Sequence, residues 1–173
     1  MNYVPVRKSI RLASINYVGY RRYFVTICCF RRQKVFSDPR QCRDVMALLE
    51  SESAGRCFSV LAYCLMPDHL HFLAEGLDAG SDLLHFLKSF KIKSSRSYAL
   101  RGRGALWQRG YYEHILRPCE PVESVAWYVW MNPVRTGLVS KAQEYPFSGS
   151  FAGMQMPASW GAGDWRPPWK VGR

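Results

Sequence analysis

Two strand-like runs separated by only two residues are the feature that most constrains how this 173-residue chain folds. The runs, Phe58 to Met66 and His69 to Glu75, are rich in aromatic and large apolar residues, which favour β-strands. A connection made only of Pro67 and Asp68 is typical of a tight turn between antiparallel strands. The sequence therefore predicts a β-hairpin near the middle of the chain, and the rest of the fold has to be built around it.

The segments on both sides of this hairpin alternate between strand and helix patterns, judged by their apolar periodicity and their capping residues. The additional predicted elements are a strand at Tyr23 to Phe30, a helix at Arg40 to Ser53, a helix at Ser81 to Ala99, a strand at Tyr112 to Arg117 and a helix at Pro121 to Asn132. The order β-α-β-β-α-β-α predicts an α+β fold of the ferredoxin-like (split βαβ, RRM-like) type. We expect a four-stranded antiparallel sheet with helices on one face, plus a C-terminal helix that carries Tyr128.

Composition indicates a single domain. The length suits one hydrophobic core, and we place one domain at residues 1–150, with a basic N-terminal arm at 1–22. Residues 151–173 are rich in Gly, Pro and Trp, which predicts an irregular tail.

No run approaches the ~18 apolar residues of a membrane span, and the N-terminus lacks the apolar core of a signal peptide, so we expect a cytoplasmic protein. The six cysteines form no Cys-x-x-Cys pair, and we interpret them mainly as reduced core residues.

The positive charge of the chain is concentrated in two stretches. The formal net charge is +11, from 24 Lys and Arg against 13 Asp and Glu. Residues 1–37 hold eight basic residues and residues 83–112 hold seven, and neither stretch contains an acid. Aromatic residues are interleaved with these charges, a combination that favours a nucleic-acid partner through phosphate neutralisation and base stacking. Ordinary surface charge and an anionic membrane surface remain alternatives.

The motif His69-Leu70-His71 is the clearest candidate for chemistry. Side chains alternate along a strand, so both histidines point to one face while Leu70 and Phe72 point to the other. Two imidazoles in that arrangement can bind one metal ion. A lone His-x-His is common by chance, but two unpartnered imidazoles on a buried face of a central strand would be costly.

The last predicted helix supplies a second candidate. Tyr128 and Asn132 are four residues apart and hence on one helical face, so the helix could bring a phenol and an amide oxygen to the histidines. The alternative is that Tyr128 is a core aromatic residue and Asn132 a C-terminal cap before Pro133. Composition alone favours that alternative.

Three segments, in this order and spacing, resemble the REP-associated tyrosine transposases, a branch of the single-tyrosine HUH transposases of the IS200-like type. They are MPDHLHFLAEG at 66–76, LWQRGYYEHILR at 106–117 and YVWMNPVRTGLV at 128–139. The opening RRYFVTICCFRR at 21–32 is similar to the first strand of that family. The resemblance extends over roughly residues 7–150.

The resemblance implies that His69 and His71 bind a divalent metal, Mg²⁺ or Mn²⁺, that Tyr128 is the catalytic nucleophile, and that Asn132 completes the metal site. It implies a transposase and endonuclease that cleaves and rejoins single-stranded DNA at palindromic REP-type hairpins through a 5′-phosphotyrosine intermediate. The alternatives are a non-catalytic or host-domesticated hairpin-binding protein and a hydrolytic metal-dependent phosphodiesterase. We expect a monomer rather than a homodimer.

The expected partner is therefore a single-stranded DNA hairpin, and the two basic stretches supply the expected contacts. Trp107 is expected to stack on an unpaired base, with core packing as the alternative. The candidate DNA-binding residues are Arg7, Lys8, Arg11, Arg21, Arg22, Lys88, Lys91, Lys93, Arg96, Arg101, Arg103, Trp107 and Arg109.

Overall fold

A computed structural model describes residues 17–158 and 167–168. Its strands and α-helices in chain order are β1 (Arg22–Cys28), α1 (Pro39–Ala54), β2 (Phe58–Met66), β3 (His69–Gly76), α2 (Leu83–Ala99), β4 (Tyr112–Ile115), α3 (Val122–Trp130), α4 (Asn132–Arg135) and β5 (Ser148–Gly149). Short 3-10 turns occupy Phe30–Arg32, Val35–Ser37 and Ala142–Glu144. The predicted hairpin is confirmed, with Met66 paired to His69 across the two-residue turn.

The strands form one antiparallel sheet in the order β4-β1-β3-β2-β5. The ferredoxin-like prediction is confirmed, since the four predicted strands occur in the expected order with β1 and β3 at the centre. The sheet has a fifth strand that was not predicted, because Ser148 and Gly149 are too short a segment to show an apolar alternation. Gly149 fits this edge because an added Cβ would lie only 3.0 Å from the Tyr63 hydroxyl oxygen.

The two faces of the sheet have different coverings. On the helical face, alternate residues of β1 and β3 pack with α1 and α2 into the larger core. That face comprises Tyr23, Val25 and Ile27 of β1 with Leu70, Phe72 and Ala74 of β3. The opposite, histidine face comprises Phe24, Thr26 and Cys28 of β1 with His69, His71 and Leu73 of β3, since directly opposed residues share a face.

Helix α3 lies on the histidine face rather than with the other two long helices. Its buried residues Val125, Ala126 and Val129 pack in one cluster with Phe24 and Leu73. These apolar residues recur at the helical period and therefore share one side of α3, and that side packs on the sheet. The helix therefore covers part of the histidine face.

One end of the sheet, which we call the histidine end, gathers several loops around Cys28 and His69. The amide of Cys29 donates to the Asp68 carbonyl at 2.8 Å, and the amide of Phe36 donates to the Pro67 carbonyl at 2.9 Å. The amide of Phe30 donates to the Leu106 carbonyl at 2.9 Å, so the segment between α2 and β4 also joins this end. Helix α1 begins here and helix α2 ends here.

The flanks of the predicted domain partly pack on the sheet. Tyr17, in the predicted arm, is buried, and Phe151, in the predicted tail, packs against Tyr63 in a tilted arrangement with ring centroids 4.6 Å apart. Contact with the body thus continues past residue 150, while the arm residues 1–16 and the tail residues 159–166 and 169–173 lie outside the described part. Within the described part, no helix is both long and apolar enough to span a membrane.

The prediction for the cysteines is only half right. Cys29, Cys42 and Cys64 are buried, whereas Cys57 and Cys119 are exposed and Cys28 is half-buried. The two exposed cysteines lie in turns outside the apolar runs, so no apolar pattern of neighbours draws them into the core.

Candidate functional site

The two histidines of β3 bring one nitrogen each to a common point. His69 Nε2 and His71 Nε2 are 2.9 Å apart, and the two ring planes meet at 84°. His71 is buried and His69 is half-buried. The side-chain alternation predicted from the motif is confirmed. Both rings lie on the histidine face, while Leu70 and Phe72 lie in the larger core on the helical face.

The remaining ring nitrogens are held by neighbours. His69 Nδ1 lies 2.5 Å from Asp68 Oδ1, and His71 Nδ1 lies 2.8 Å from Thr26 Oγ1. The Asp68 carboxylate can accept from Nδ1 of His69, and the Thr26 hydroxyl can accept from Nδ1 of His71, which leaves each Nε2 as the acceptor. In that tautomer the two Nε2 lone pairs face each other across 2.9 Å, an arrangement in which both nitrogens can bind one cation.

This donor set fits a metal ion. Metal-binding histidines commonly donate their second ring N–H to a carboxylate or another oxygen, which fixes the tautomer and the ring orientation. Imidazole nitrogens suit transition ions better than Mg²⁺. Among the described residues, no group of three His, Cys, Asp or Glu side chains is arranged around a metal position. A third ligand would have to be an amide, a water or the substrate.

Asp68 is itself held by an arginine. Arg32 Nη1 lies 3.3 Å from Asp68 Oδ2. Arg31 and Arg32 both have positive φ, 51° and 56°, a conformation that costs non-glycine residues about 1–3 kcal/mol. Neither Asp68 nor Thr26 was predicted as a site residue. Asp68 could have been found from its position next to His69, but Thr26 lies 45 residues from His71 and is brought opposite it only by the β1–β3 register.

Tyr128 lies near the C-terminal end of α3, next to the histidine face. Its ring meets Phe24 edge-on with centroids 5.9 Å apart, and Phe24 stacks on His71 at 5.7 Å. The Arg135 guanidinium lies 4.1 Å from the centre of the Tyr128 ring, and its Nη2 donates to the Tyr128 carbonyl at 2.6 Å. One phenylalanine ring therefore contacts both the candidate nucleophile and a candidate metal ligand.

Asn132 does not extend the tyrosine helix, contrary to the prediction of one continuous helical face. Helix α3 ends at Trp130 and Asn132 begins α4, because Pro133 is tolerated in the first turn of a new helix but not inside a longer one. Asn132 Nδ2 donates to the carbonyls of Tyr128 at 3.1 Å and Val129 at 2.9 Å. Asn132 therefore caps the C-terminal end of α3, which is the alternative that composition alone favours. The amide oxygen is the atom that a metal-ligand role would use.

Several candidate DNA contacts have structural partners. Lys91 Nζ donates to the carbonyls of Gln108 at 2.8 Å and Arg109 at 3.0 Å, and Lys93 pairs with Glu52. Trp107 is 6% exposed and its Nε1 donates to Ser94 Oγ at 2.8 Å, so it is a core residue and has no exposed ring for a base. The alternative of core packing is correct for Trp107, and its predicted contact with DNA is wrong.

The other candidates divide by position. Arg101 and Arg103 are exposed at the histidine end, where they pair with Asp44 at 2.5 Å and Asp38 at 3.6 Å. Arg21 and Arg22 lie at the opposite end, and Arg22 pairs with Glu75 at 2.7 Å. Lys88, Arg96 and Arg109 are exposed, whereas Arg7, Lys8 and Arg11 fall outside the described residues.

Residues 18–131 match a family described as transposase IS200-like. A REP-associated tyrosine transposase of Escherichia coli K12 is 25% identical over 93 residues, which cover 54% of this chain and 54% of that protein. A Haemophilus influenzae Rd protein named in the same group is 24% identical over 118 residues, which cover 60% of this chain and 67% of that protein.

The fold is also similar to solved structures. The structure of a REP-associated tyrosine transposase bound to a REP hairpin matches with a TM-score of 0.69 and 21% identity, covering 83% of this chain and 82% of that one. At this identity the similarity shows the shared fold.

Proposed function

The chain belongs to the IS200-like transposase family, and from that premise we propose that it cleaves and rejoins single-stranded DNA beside palindromic hairpins through a 5′-phosphotyrosine intermediate. The observation that carries the proposal is the pair of imidazole nitrogens 2.9 Å apart, each ring anchored through its other nitrogen. Tyr128 lies across one phenylalanine ring from this pair.

Tyr128 is the proposed nucleophile. Its hydroxyl oxygen attacks the scissile phosphorus and forms the new O–P bond, while the bond from phosphorus to the 3′-oxygen breaks. The phenol proton leaves to solvent, and the departing 3′-oxygen takes up a proton to become a hydroxyl. The phosphotyrosine retains a phosphodiester linkage, so a later 3′-hydroxyl can reverse the step and rejoin a strand without ATP.

His69 and His71, together with Asn132, are the proposed holders of a divalent metal, Mn²⁺ or Mg²⁺. When bound, such an ion polarises the scissile phosphate and stabilises charge on the leaving oxygen. Thr26 and Asp68 keep both Nε2 atoms directed to one point. Phe24 and Arg135 hold the Tyr128 ring from two sides, which restricts its motion beside the site.

A hairpin is the proposed partner because the structural relative with the same fold is bound to a REP hairpin. The excess of basic residues at the histidine end supports an anionic ligand there. We propose that the protein acts on this DNA as a monomer.

The test is a cleavage assay on hairpin oligonucleotides taken from the DNA that flanks this gene, with Mn²⁺ or Mg²⁺ present. Wild-type protein is expected to form a DNA adduct that survives denaturing electrophoresis. Tyr128→Phe is expected to form none, because it removes only the nucleophilic oxygen and keeps the ring that packs on Phe24. Tyr112→Phe is the matched control, since Tyr112 also meets Phe24 edge-on, with centroids 6.2 Å apart.

Two outcomes contradict the proposal. Hairpin binding without any metal-dependent adduct indicates a binding protein. Turnover that survives Tyr128→Phe but stops when His69 and His71 are replaced indicates a hydrolytic phosphodiesterase.

A further inference from the structure

A pocket of about 460 Å³ at the histidine end is lined mainly by arginines. It lies where α1 begins and where the chain leaves α2. Arg40 and Arg43 come from the first turns of α1, and Arg101 and Arg103 come from the glycine-containing segment after α2. Neither Arg40 nor Arg43 belongs to the two acid-free stretches. We call this the arginine pocket.

The charges in the pocket are unequal. Its two acids each have an arginine partner, since Asp44 pairs with Arg101 and Asp38 pairs with Arg103. These pairs hold the segment after α2 against α1. Arg40 and Arg43 are exposed and form no ion pair with any residue of the described ranges. The pocket therefore retains two positive charges in excess, the amount that two consecutive phosphodiester groups would neutralise.

The arginine pocket is on the opposite side of the sheet from the histidines but at the same end. Helix α1 packs on the helical face, whereas His69 and His71 lie on the histidine face. The loop between β1 and α1 joins the two sides around the end of the sheet, and its Arg31, Arg32 and Lys34 are all exposed. Exposed basic side chains thus lie on the loop that links the histidine end of β1 to the start of α1.

We propose that the arginine pocket binds the phosphodiester backbone of the duplex stem of the DNA hairpin, while the single strand beside the stem reaches the histidines. The inference rests on the proposed function. A stem is the part of the substrate that fits, because a duplex carries closely spaced phosphates over a rigid surface broad enough to pass from one side of the protein to the other. Guanidinium groups are suited to bidentate phosphate contacts.

The experiment compares hairpins in which single stem phosphates are replaced by neutral methylphosphonates. For wild-type protein, neutralising the phosphate that contacts the pocket is expected to weaken binding about tenfold. The double variant Arg40→Gln and Arg43→Gln is expected to bind the unmodified hairpin about tenfold more weakly and to be insensitive to that same replacement. Arg117→Gln is the matched control, since it removes an exposed arginine at the other end of the sheet.

The outcomes separate this inference from the proposed function. Adduct formation by wild-type protein with equal sensitivity of wild type and double variant at every stem position overturns the inference alone. The inference is also overturned if wild type and double variant differ in sensitivity only at phosphates of the single-stranded part. A rise in melting temperature with inorganic phosphate that is lost in the double variant, together with unchanged hairpin affinity in that variant, identifies a free-anion site and also overturns it. Absence of hairpin binding by wild-type protein overturns both proposals.

Discussion

At the residue scale, the orientation of the two histidines depends on side chains that belong to different parts of the chain. The motif His69-Leu70-His71 predicts which face the rings occupy, and the structure confirms that. It does not predict which nitrogens converge, because that is decided by hydrogen bonds to Nδ1. Asp68 supplies one from the adjacent position and Thr26 supplies the other across the strand register. Register is a long-range property that local patterns do not encode.

Replacing Thr26 with Val tests this orientation. The substitution keeps the branched shape and removes the oxygen at 2.8 Å from His71 Nδ1. We expect affinity for Mn²⁺ to fall about 10- to 100-fold, the usual cost of losing such a supporting contact. Titration calorimetry measures the affinity, and Thr26→Ser, which keeps the hydroxyl, is the control. Equal affinity in the wild type and the Val variant would show that Thr26 does not orient His71.

At the element scale, a buried carboxylate joins the two helices of the helical face. Glu52 of α1 accepts from Ser89 of α2 at 2.6 Å and pairs with Lys93 of α2 and with Arg56 at 3.7 Å. Burial raises the pKa of Glu52, but the hydrogen bonds from Lys93 and Ser89 and the charges of Lys93 and Arg56 outweigh burial and hold that pKa below its usual value.

This shift predicts a pH dependence of stability. Because the folded pKa of Glu52 lies below the unfolded value of about 4.3, its contribution is complete above that pH and is lost as pH falls through the folded pKa. Glu52→Gln should lower the free energy of unfolding by about 1–3 kcal/mol at pH 7. In urea unfolding from pH 7 to pH 3, the difference from wild type should shrink as pH falls.

The control for Glu52 is the exposed Glu50 of the same helix. Glu50→Gln should leave both the free energy of unfolding and its pH profile nearly unchanged. A constant difference between wild type and Glu52→Gln across the whole pH range would mean that Glu52 titrates alike in the folded and unfolded chain.

The elements themselves were largely predictable, and the exceptions have physical causes. Helices with a clear apolar period and a cap, such as α1 and α2, agree with prediction to within about two residues. The break between α3 and α4 was not predicted. Pro133 indicates the end of a helix, but the chain begins a new helical turn there, and proline is tolerated in a first turn. Strand β5 was missed because its pairing with β2 depends on a distant partner.

At the scale of the whole molecule, the positive charge lies unevenly. Eight exposed basic residues lie at or near the histidine end, against three acids there, Asp38, Asp44 and Asp68. The basic residues are Arg31, Arg32, Lys34, Arg40, Arg43, Arg101, Arg103 and Arg109. The two acid-free stretches predicted an excess of positive charge but not where it lies. Arg21 and Arg22, from the first stretch, lie at the other end of the sheet. Arg40 and Arg43, at the histidine end, come from a segment of mixed charge.

This distribution predicts that hairpin binding weakens steeply with salt. Each phosphate contact adds about 0.9 to the slope of log affinity against log salt concentration, because bound counterions are released. We expect a slope of about 3 or more in magnitude by fluorescence anisotropy over a series of KCl concentrations. Arg117→Gln should leave it unchanged. A nearly flat dependence would show that the charge at the histidine end does not contact DNA.

The strict alternation of β1 and β3 between two faces has a consequence for sequence length. A slip of β3 by one residue against β1 would turn Leu70 and Phe72 toward the histidine face and both histidines into the larger core. The central strands can therefore change by substitution, whereas a gained or lost residue has to be absorbed in a bulge, such as the register shift between Val60 and Ala62 of β2. The exposed segment 100–105 joins α2 to β4 outside any strand pairing, so descendants of this chain can differ in length there while their two central strands keep the same number of residues.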